Sequence, residues 1–276
     1  MGWRVHDQGD LELDTLAKNN SFDNDLDNAK NSTIVGKGCE MISNAVIDVI
    51  DKGQFPLILG GDHSIGAGSL AGVLKARPDT GIIWVDAHAD INTPDTSSSG
   101  NMHGMPISFL IQDMLDSKDV PGFEWLSSQE YESVRLRPDS IVYVGLRDVD
   151  KMERKFIRDM KIKAFTMYDI DKYGIGKVMD LALIHLLEGN KNRPIHLSWD
   201  IDAIDPIHAP ATGTAVRGGL TYREAHFVAE AVASSGSLAS VEMVELNPTL
   251  SDGDGSDETI KLGLGIITSL MGKSII

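Results

Sequence analysis

Cysteine is almost missing: Cys39 stands alone among 276 residues, so no intramolecular disulfide can staple the fold, and a reducing compartment suits the chain. Nowhere does an apolar run approach the roughly 20 residues that span a bilayer. The start, Met1-Gly2-Trp3-Arg4-Val5-His6-Asp7, has no signal-peptide core and is too acidic nearby for a transit peptide. Basic residues are also short, 25 Lys and Arg against 41 Asp and Glu for a net charge of −16. That balance argues against nucleic acid or an anionic membrane as partner. A negative field can draw in a cationic substrate, although solubility is its ordinary explanation. These absences describe a soluble, cytoplasmic protein. With 42% hydrophobic residues, the chain can still bury a full core as one large domain or two smaller ones.

The apolar residues that are present fall into an alternating pattern. Residues 1–33 are polar, rich in Asp and Asn, and read as mostly irregular surface chain. Spacing over 34–52 predicts an amphipathic helix ended by Gly53, with Cys39 as a buried core thiol. A buried strand follows over 55–59, stopped by Gly60-Gly61, then a small-residue helix over 65–76 packed on a sheet. Further strands are expected at 82–85, 140–144, 164–165, 194–199 and 240–244. Helices are expected at 107–115, 152–160, 175–187, 222–233 and 258–271. Short strands alternating with helices, without repeats or a low-complexity linker, indicate one α/β domain over 1–276 with a parallel sheet. Pattern alone leaves a (β/α)₈ barrel open. Loop 92–104, with Ser97-Ser98-Ser99-Gly100, is too long for a plain connector and is read as functional.

Unusual polar residues gather at the carboxyl ends of these strands. His63 follows 55–59; Asp86, His88 and Asp90 follow 82–85; Arg147, Asp148 and Asp150 follow 140–144. Asp200 and Asp202 follow 194–199, and Glu245 and Asn247 follow 240–244. In a parallel sheet these ends lie along one edge, where sites form. A polar turn or a capping Asp explains one such cluster but not five. In Asp86-Ala87-His88-Ala89-Asp90 and Asp200-Ile201-Asp202 an extended backbone would turn alternate side chains to one face. Four carboxylates gathered with two imidazoles repel one another without positive charge. Two divalent cations sharing bridging carboxylates relieve that, and the thiolate-free donor set suits Mn²⁺ better than structural Zn²⁺. Two such ions can make a hydroxide nucleophile at neutral pH. His196 reads as a hydrogen-bonded core residue, and His6, His185, His208 and His226 as surface, helix or loop residues. His103, in Gly100-Asn101-Met102-His103-Gly104, lies beside the expected site and suits a proton shuttle.

Gly60-Gly61-Asp62-His63-Ser64, Asp86-Ala87-His88-Ala89-Asp90 and Ser198-Trp199-Asp200-Ile201-Asp202-Ala203-Ile204-Asp205-Pro206 resemble the three metal-binding signatures of the ureohydrolases. Ser99-Gly100-Asn101-Met102-His103-Gly104, Gly145-Leu146-Arg147-Asp148-Val149-Asp150 and Met243-Val244-Glu245-Leu246-Asn247-Pro248 make the chain similar to the arginase branch. The likeness runs from about residue 34 to about residue 272. It implies a single three-layer α/β domain with a central parallel sheet and a binuclear Mn²⁺ site. One ion would be held by His63, Asp86, Asp90 and Asp200, the other by Asp86, His88, Asp200 and Asp202. The implied reaction is hydrolysis of L-arginine to L-ornithine and urea by a metal-bridging hydroxide. Asp90 would carry a proton to the leaving amine, His103 would shuttle protons, and Glu245 would orient the guanidinium. Asn92, Ser99 and Asn101 would bind the α-carboxylate, Asp150 and Glu153 the α-ammonium, and Thr214 would line the pocket. A homo-oligomer, a trimer, is the implied assembly.

The sequence departs from the family pattern in places. The strand and glycine-rich loop with which such proteins open have no counterpart before Trp3, so an exposed sheet edge is expected. The longer tail used in trimer contacts by arginases of animal type has no counterpart after Ile276. Arg217, in Gly213-Thr214-Ala215-Val216-Arg217-Gly218-Gly219, puts a cation in a loop where the family has none. A ureohydrolase acting on another guanidino compound, or a non-catalytic arginase-like subunit, are the competing readings.

Overall fold

The computed structural model describes residues 2–13, 15–16 and 25–273. Six parallel strands form its sheet: β1 (Leu57–Leu59), β2 (Gly81–Val85), β3 (Ile141–Leu146), β4 (Lys163–Thr166), β5 (Ile195–Asp200) and β6 (Leu238–Val244). Their order is β1-β6-β5-β2-β3-β4, an open sheet and not a barrel. β2, β3 and β5 are buried along their whole length. Their alternate side chains feed two cores. Ile82, Trp84, Ile141 and Tyr143 pack in one; Ile83, Val85, Val142 and Val144 pack in the other. Seven helices among the described residues cover the two faces. The first core takes side chains from α1 (Ser32–Asp51), α2 (Gly66–Ala76) and α3 (Lys151–Asp159), together with the irregular stretch 105–136. The second is closed by α4 (Met167–Tyr173), α5 (Ile175–Leu187), α6 (Tyr222–Ser234) and α7 (Gly253–Leu270).

Local chemistry explains most of these elements. α1 presents Gly36, Cys39, Ser43, Val46 and Ile50 to the core. It stops at Gly53, whose φ of 69° turns the chain and whose N–H donates to Ile50 O. α2 packs against α1 at van der Waals limits, because a Cβ on Gly68 would sit 2.4 Å from Cys39 O. Its small residues therefore serve a helix–helix contact as well as the sheet.

Three expectations need correction. The strand at 55–59 is short and lies at the sheet edge, with Leu57 and Leu59 41% and 67% exposed. It pairs only with β6, and its outer side has no neighbour among the described strands. The helix expected at 107–115 is a short 3₁₀ segment, Pro106–Phe109, followed by turns. Ile107, Ser108, Phe109, Leu110 and Ile111 are all buried, so no polar face remains for an amphipathic helix. Conversely, the sequence reading passed over α4. Its N-terminus carries a capping box in which Thr166 and Asp169 satisfy each other's backbone N–H groups.

The strand order decides where a site can form. From β2 the chain moves outward to β3 and β4, then returns to place β5 on the opposite side of β2. The carboxyl ends of β2 and β5 therefore flank the switch point of the sheet. Val85 pairs with Trp199 across these two strands, so Asp86 and Asp200 leave the sheet side by side.

Candidate metal centre and active site

Asp86 and Asp200 each fold the chain over themselves. Asp86 Oδ1 accepts the His88 N–H at 2.7 Å, and Asp200 Oδ1 accepts the Asp202 N–H at 2.7 Å. These are Asx turns, which bring the residue two positions on back toward the aspartate. Convergence thus comes from turns and a short 3₁₀ segment (Ile201–Ala203), not from the extended backbone expected of the alternating spacing. Asp90 lies beyond a bend with φ 50°, and Glu245 follows β6 with φ 61°. Both are left-handed non-glycine residues, the kind of strain that tertiary structure holds at sites.

Two ligand groups result. His63, Asp86 and Asp90 offer atoms lying within 4.8 Å of one another, as do Asp86, His88 and Asp202; Asp86 belongs to both. His63 Nδ1 lies 3.0 Å from Asp86, 3.1 Å from Asp90 and 3.2 Å from Asp200. His88 Nδ1 lies 3.1 Å from Asp202 and 3.4 Å from Asp86. On its other side, His63 Nε2 is 2.7 Å from Ser198 Oγ. If Nε2 carries the proton and donates it there, Nδ1 is a bare lone pair facing three carboxylates. A cation is what such an arrangement lacks.

The electrostatics agree. Burial and the charges of their neighbours push Asp90 and Asp200 well above the usual carboxylate range. Burial also lifts Asp86, but His63 and His88 outweigh it and hold that carboxyl low. Against the pull of burial, the carboxylates raise His63 strongly and push His88 up to about 12. Without added positive charge the cluster must therefore hold extra protons. All six residues are present, buried or half-buried, and without thiolate. They fit divalent cations.

Beside the cluster opens a cavity of about 160 Å³. Its wall carries Asp90, Asp148, Asp150, Glu153, Asp200 and Glu245, with His63, His88 and His103 but, among the described residues, neither Lys nor Arg. His63, Asp90 and Asp200 are buried, whereas Ser99, Asp148 and Asp150 are exposed at the surface end. Loop 92–104 supplies Asn92, Ser97, Ser99, His103 and Gly104.

Residues 1–272 match the profile of the Arginase family. The chain belongs to the arginase family. It is 42% identical over 277 residues to arginase from Glaciozyma antarctica, covering all of this chain and 78% of that protein. It is 45% identical to Arginase-1 from Homo sapiens over 89% of this chain and 73% of the relative. The crystal structure of arginase from Bacillus subtilis superposes with a TM-score of 0.84 at 37% identity, over 100% of this chain and 87% of that one. The cluster and cavity therefore belong to an arginase hydrolase.

The arginase residues expected to bind substrate are placed unevenly. Asn92 Nδ2 donates to Asp150 Oδ2 at 3.0 Å, and Thr96 Oγ1 donates to Asn92 Oδ1 at 3.0 Å. Thr214 Oγ1 donates to Asp202 Oδ2 at 2.8 Å. Glu153 lines the cavity, but it is buried and its two oxygens accept the Ile91 and Asp150 N–H groups. Burial raises its pKa. Asn101 does not line the cavity; it forms a backbone bridge with Lys30. Glu245 Oε1 accepts the His63 N–H at 2.8 Å and lies 4.0 Å from His103 Nδ1. Burial raises this carboxyl too.

Sequence reasoning missed several supports. Trp84 stacks on the His63 ring at 4.0 Å and donates Nε1–H to Asp86 Oδ2 at 2.9 Å. Ser198 orients His63; Ser97 and Asp148, which the sequence marks only as part of a serine run and of a strand-end cluster, join the cavity wall. Trp84 and Ser198 sit two residues before Asp86 and Asp200, on the same strand face. The period of two was the signal that could have found them.

Proposed function

We propose that this arginase hydrolyses the guanidinium of L-arginine to L-ornithine and urea, with two Mn²⁺ ions held by His63, Asp86, Asp90 and Asp200 and by Asp86, His88, Asp200 and Asp202. The observation that carries the reading is a cavity walled by six carboxylates without Lys or Arg among the described residues, ending on a cluster short of positive charge. Oxygen-rich, thiolate-free ligation with imidazole favours Mn²⁺. When bound, the ions lower the pKa of water enough to supply a nucleophile at neutral pH.

The remaining work falls to side chains. Glu245, at the inner wall, pairs with the cationic guanidinium and sets its plane. Asp90 holds a proton for the leaving nitrogen, which departs as the ornithine amine, and His103 exchanges protons with solvent from its half-exposed position. Asp150, exposed at the mouth, takes the α-ammonium, with Glu153 fixing the turn beneath it. Asn92 and Ser99 are neutral donors for the α-carboxylate, with Asn101 supporting that loop through its backbone. Those contacts separate arginine from analogues without a carboxylate, since the site's polar groups would then lie unpaired. Family membership supports a homotrimer acting in the cytoplasm. Among the described residues no helix is long and apolar enough to cross a membrane.

Urea release by purified, Mn²⁺-loaded protein, measured in parallel on L-arginine, agmatine and guanidinobutyrate, tests the reading. Turnover of arginine in preference to the others is expected. Folded, Mn²⁺-loaded protein that releases no urea from any of them would refute catalysis; preference for agmatine, which lacks the carboxylate, would refute the assignment of Asn92 and Ser99, and preference for guanidinobutyrate, which lacks the amine, would refute that of Asp150.

A further inference from the structure

One arginine links three pieces of the metal centre without touching a carboxylate. The Arg147 N–H donates to Ala87 O at 2.9 Å, inside the turn that presents Asp86 and His88. Its guanidinium reaches across to the β5 turn, with Nη2 2.6 Å from Asp202 O and Nη1 3.1 Å from Ala203 O. The same group grips loop 213–219, with Nη2 2.6 Å and Nε 3.3 Å from Val216 O. That loop carries Thr214, whose hydroxyl donates to Asp202 Oδ2. Asp205 fastens the far end of the loop, where its Oδ2 accepts the Gly218 and Gly219 N–H groups at 2.6 and 3.1 Å. The packing is close enough that a Cβ on Gly219 would meet Arg147 Nη2 at 2.7 Å. Asp202 Oδ1 completes the circuit by accepting the Ala87 N–H at 3.2 Å.

We infer that Arg147 is a positioning residue for the ligand group Asp86, His88 and Asp202, acting through the carbonyls of Asp202, Ala203 and Val216 and through the Thr214 hydroxyl they hold in place. The inference rests on the metal reading above. A planar guanidinium offers five N–H donors in a fixed fork, so it can hold carbonyls from two segments at once. A lysine ammonium keeps the charge on a single atom and cannot span them in the same way. Arg147 thus sets where Asp202 points without itself occupying any of the four carboxylates.

The test is a Mn²⁺ titration of metal-stripped protein by calorimetry, on wild type, Arg147→Lys, Arg147→Met, Thr214→Val and the Arg147→Lys/Thr214→Val double variant. Loss of such an outer contact is expected to weaken Mn²⁺ binding about 10- to 100-fold in Arg147→Met, and less in Arg147→Lys. The double variant should lose less than the product of its single losses, because both changes act on Asp202. Urea release by Arg147→Lys should return toward wild type as Mn²⁺ is raised to saturation, which a general folding defect would not show. Folded Arg147→Met with wild-type Mn²⁺ affinity would overturn the inference. If that variant does not fold, multiplying losses in the double variant overturn it instead. Wild-type protein that binds no Mn²⁺ overturns the metal reading and this role together; wild type that binds Mn²⁺ beside unaffected variants overturns only the role of Arg147.

Discussion

Two buried acid–imidazole clusters sit on neighbouring strands of this sheet, and only one is built for a cation. Near the start of β5, His196 faces Ser240 and Glu242 of β6: its Nδ1 is 2.8 Å from Ser240 Oγ, and its Nε2 is 3.5 Å from Glu242 Oε1. Ser69 of α2 donates to the other oxygen of Glu242. All four residues are fully buried, and one carboxylate meets one imidazole. Burial alone would raise Glu242, yet His196 first, then the charge of His63 and the Ser69 hydroxyl, hold it at about 2. At the carboxyl ends of β5 and its other neighbour β2, four aspartates meet two histidines, and Asp90 and Asp200 are pushed in the opposite direction. One imidazole facing one carboxylate leaves no excess of acid there. The unbalanced cluster must take charge from outside.

The contrast can be broken at several points. Asp86 is shared by both ligand groups, so Asp86→Ala should reduce urea release to background and remove bound Mn²⁺, read by a urea assay and by metal analysis. Next in size is the response of wild type to metal. Mn²⁺ at about 100 times its dissociation constant should add about 2.7 kcal/mol of stability, visible as a rise in Tm that EDTA reverses and Asp86→Ala abolishes.

Single neutral substitutions in the two clusters should then differ in sign. Glu242→Gln leaves a buried acid–imidazole pair half made and should cost about 1–3 kcal/mol in a denaturant titration, with the Mn²⁺ response intact. Asp200→Asn removes one of the repelling carboxylates and should stabilise metal-free protein by about 0.5–2 kcal/mol while weakening the Mn²⁺ response. Destabilisation of metal-free protein by Asp200→Asn would mean that its cluster is balanced after all.

The smallest effect is in pH dependence. Glu242 has a folded pKa near 2 against an ordinary 4.5. Its contribution is therefore complete above pH 4.5 and lost as pH falls toward 2. The stability gap between wild type and Glu242→Gln, measured by denaturant titration, should shrink through that window and not at higher pH.

Much of the fold was legible because its helices are amphipathic and its strands are short apolar runs. α5 has the bounds that spacing alone assigns, 175–187. The segment 107–115 misled for the opposite reason: its apolar residues are buried on every side, so periodicity carried no signal. At the candidate site, type and spacing bring out Asp86, His88, Asp90, Asp200 and Asp202 as candidate ligands. The stacking of Trp84 on His63 and the reach of Arg147 behind Asp202 were not legible there, because each joins residues distant in sequence.

Sequence by itself determined the chemistry of this protein. Alternating short strands and helices require a parallel sheet, strand ends carry the acids and histidines, and ordered motifs mark an arginase. Tertiary structure alone decided that β2 and β5 are adjacent and that β1 is the strand left at the exposed edge. It also decided which buried acids are paired and which are left in excess. Strand order and side-chain contacts across more than a hundred residues, such as His63 with Asp200, depend on how whole layers pack. No local pattern encodes that packing.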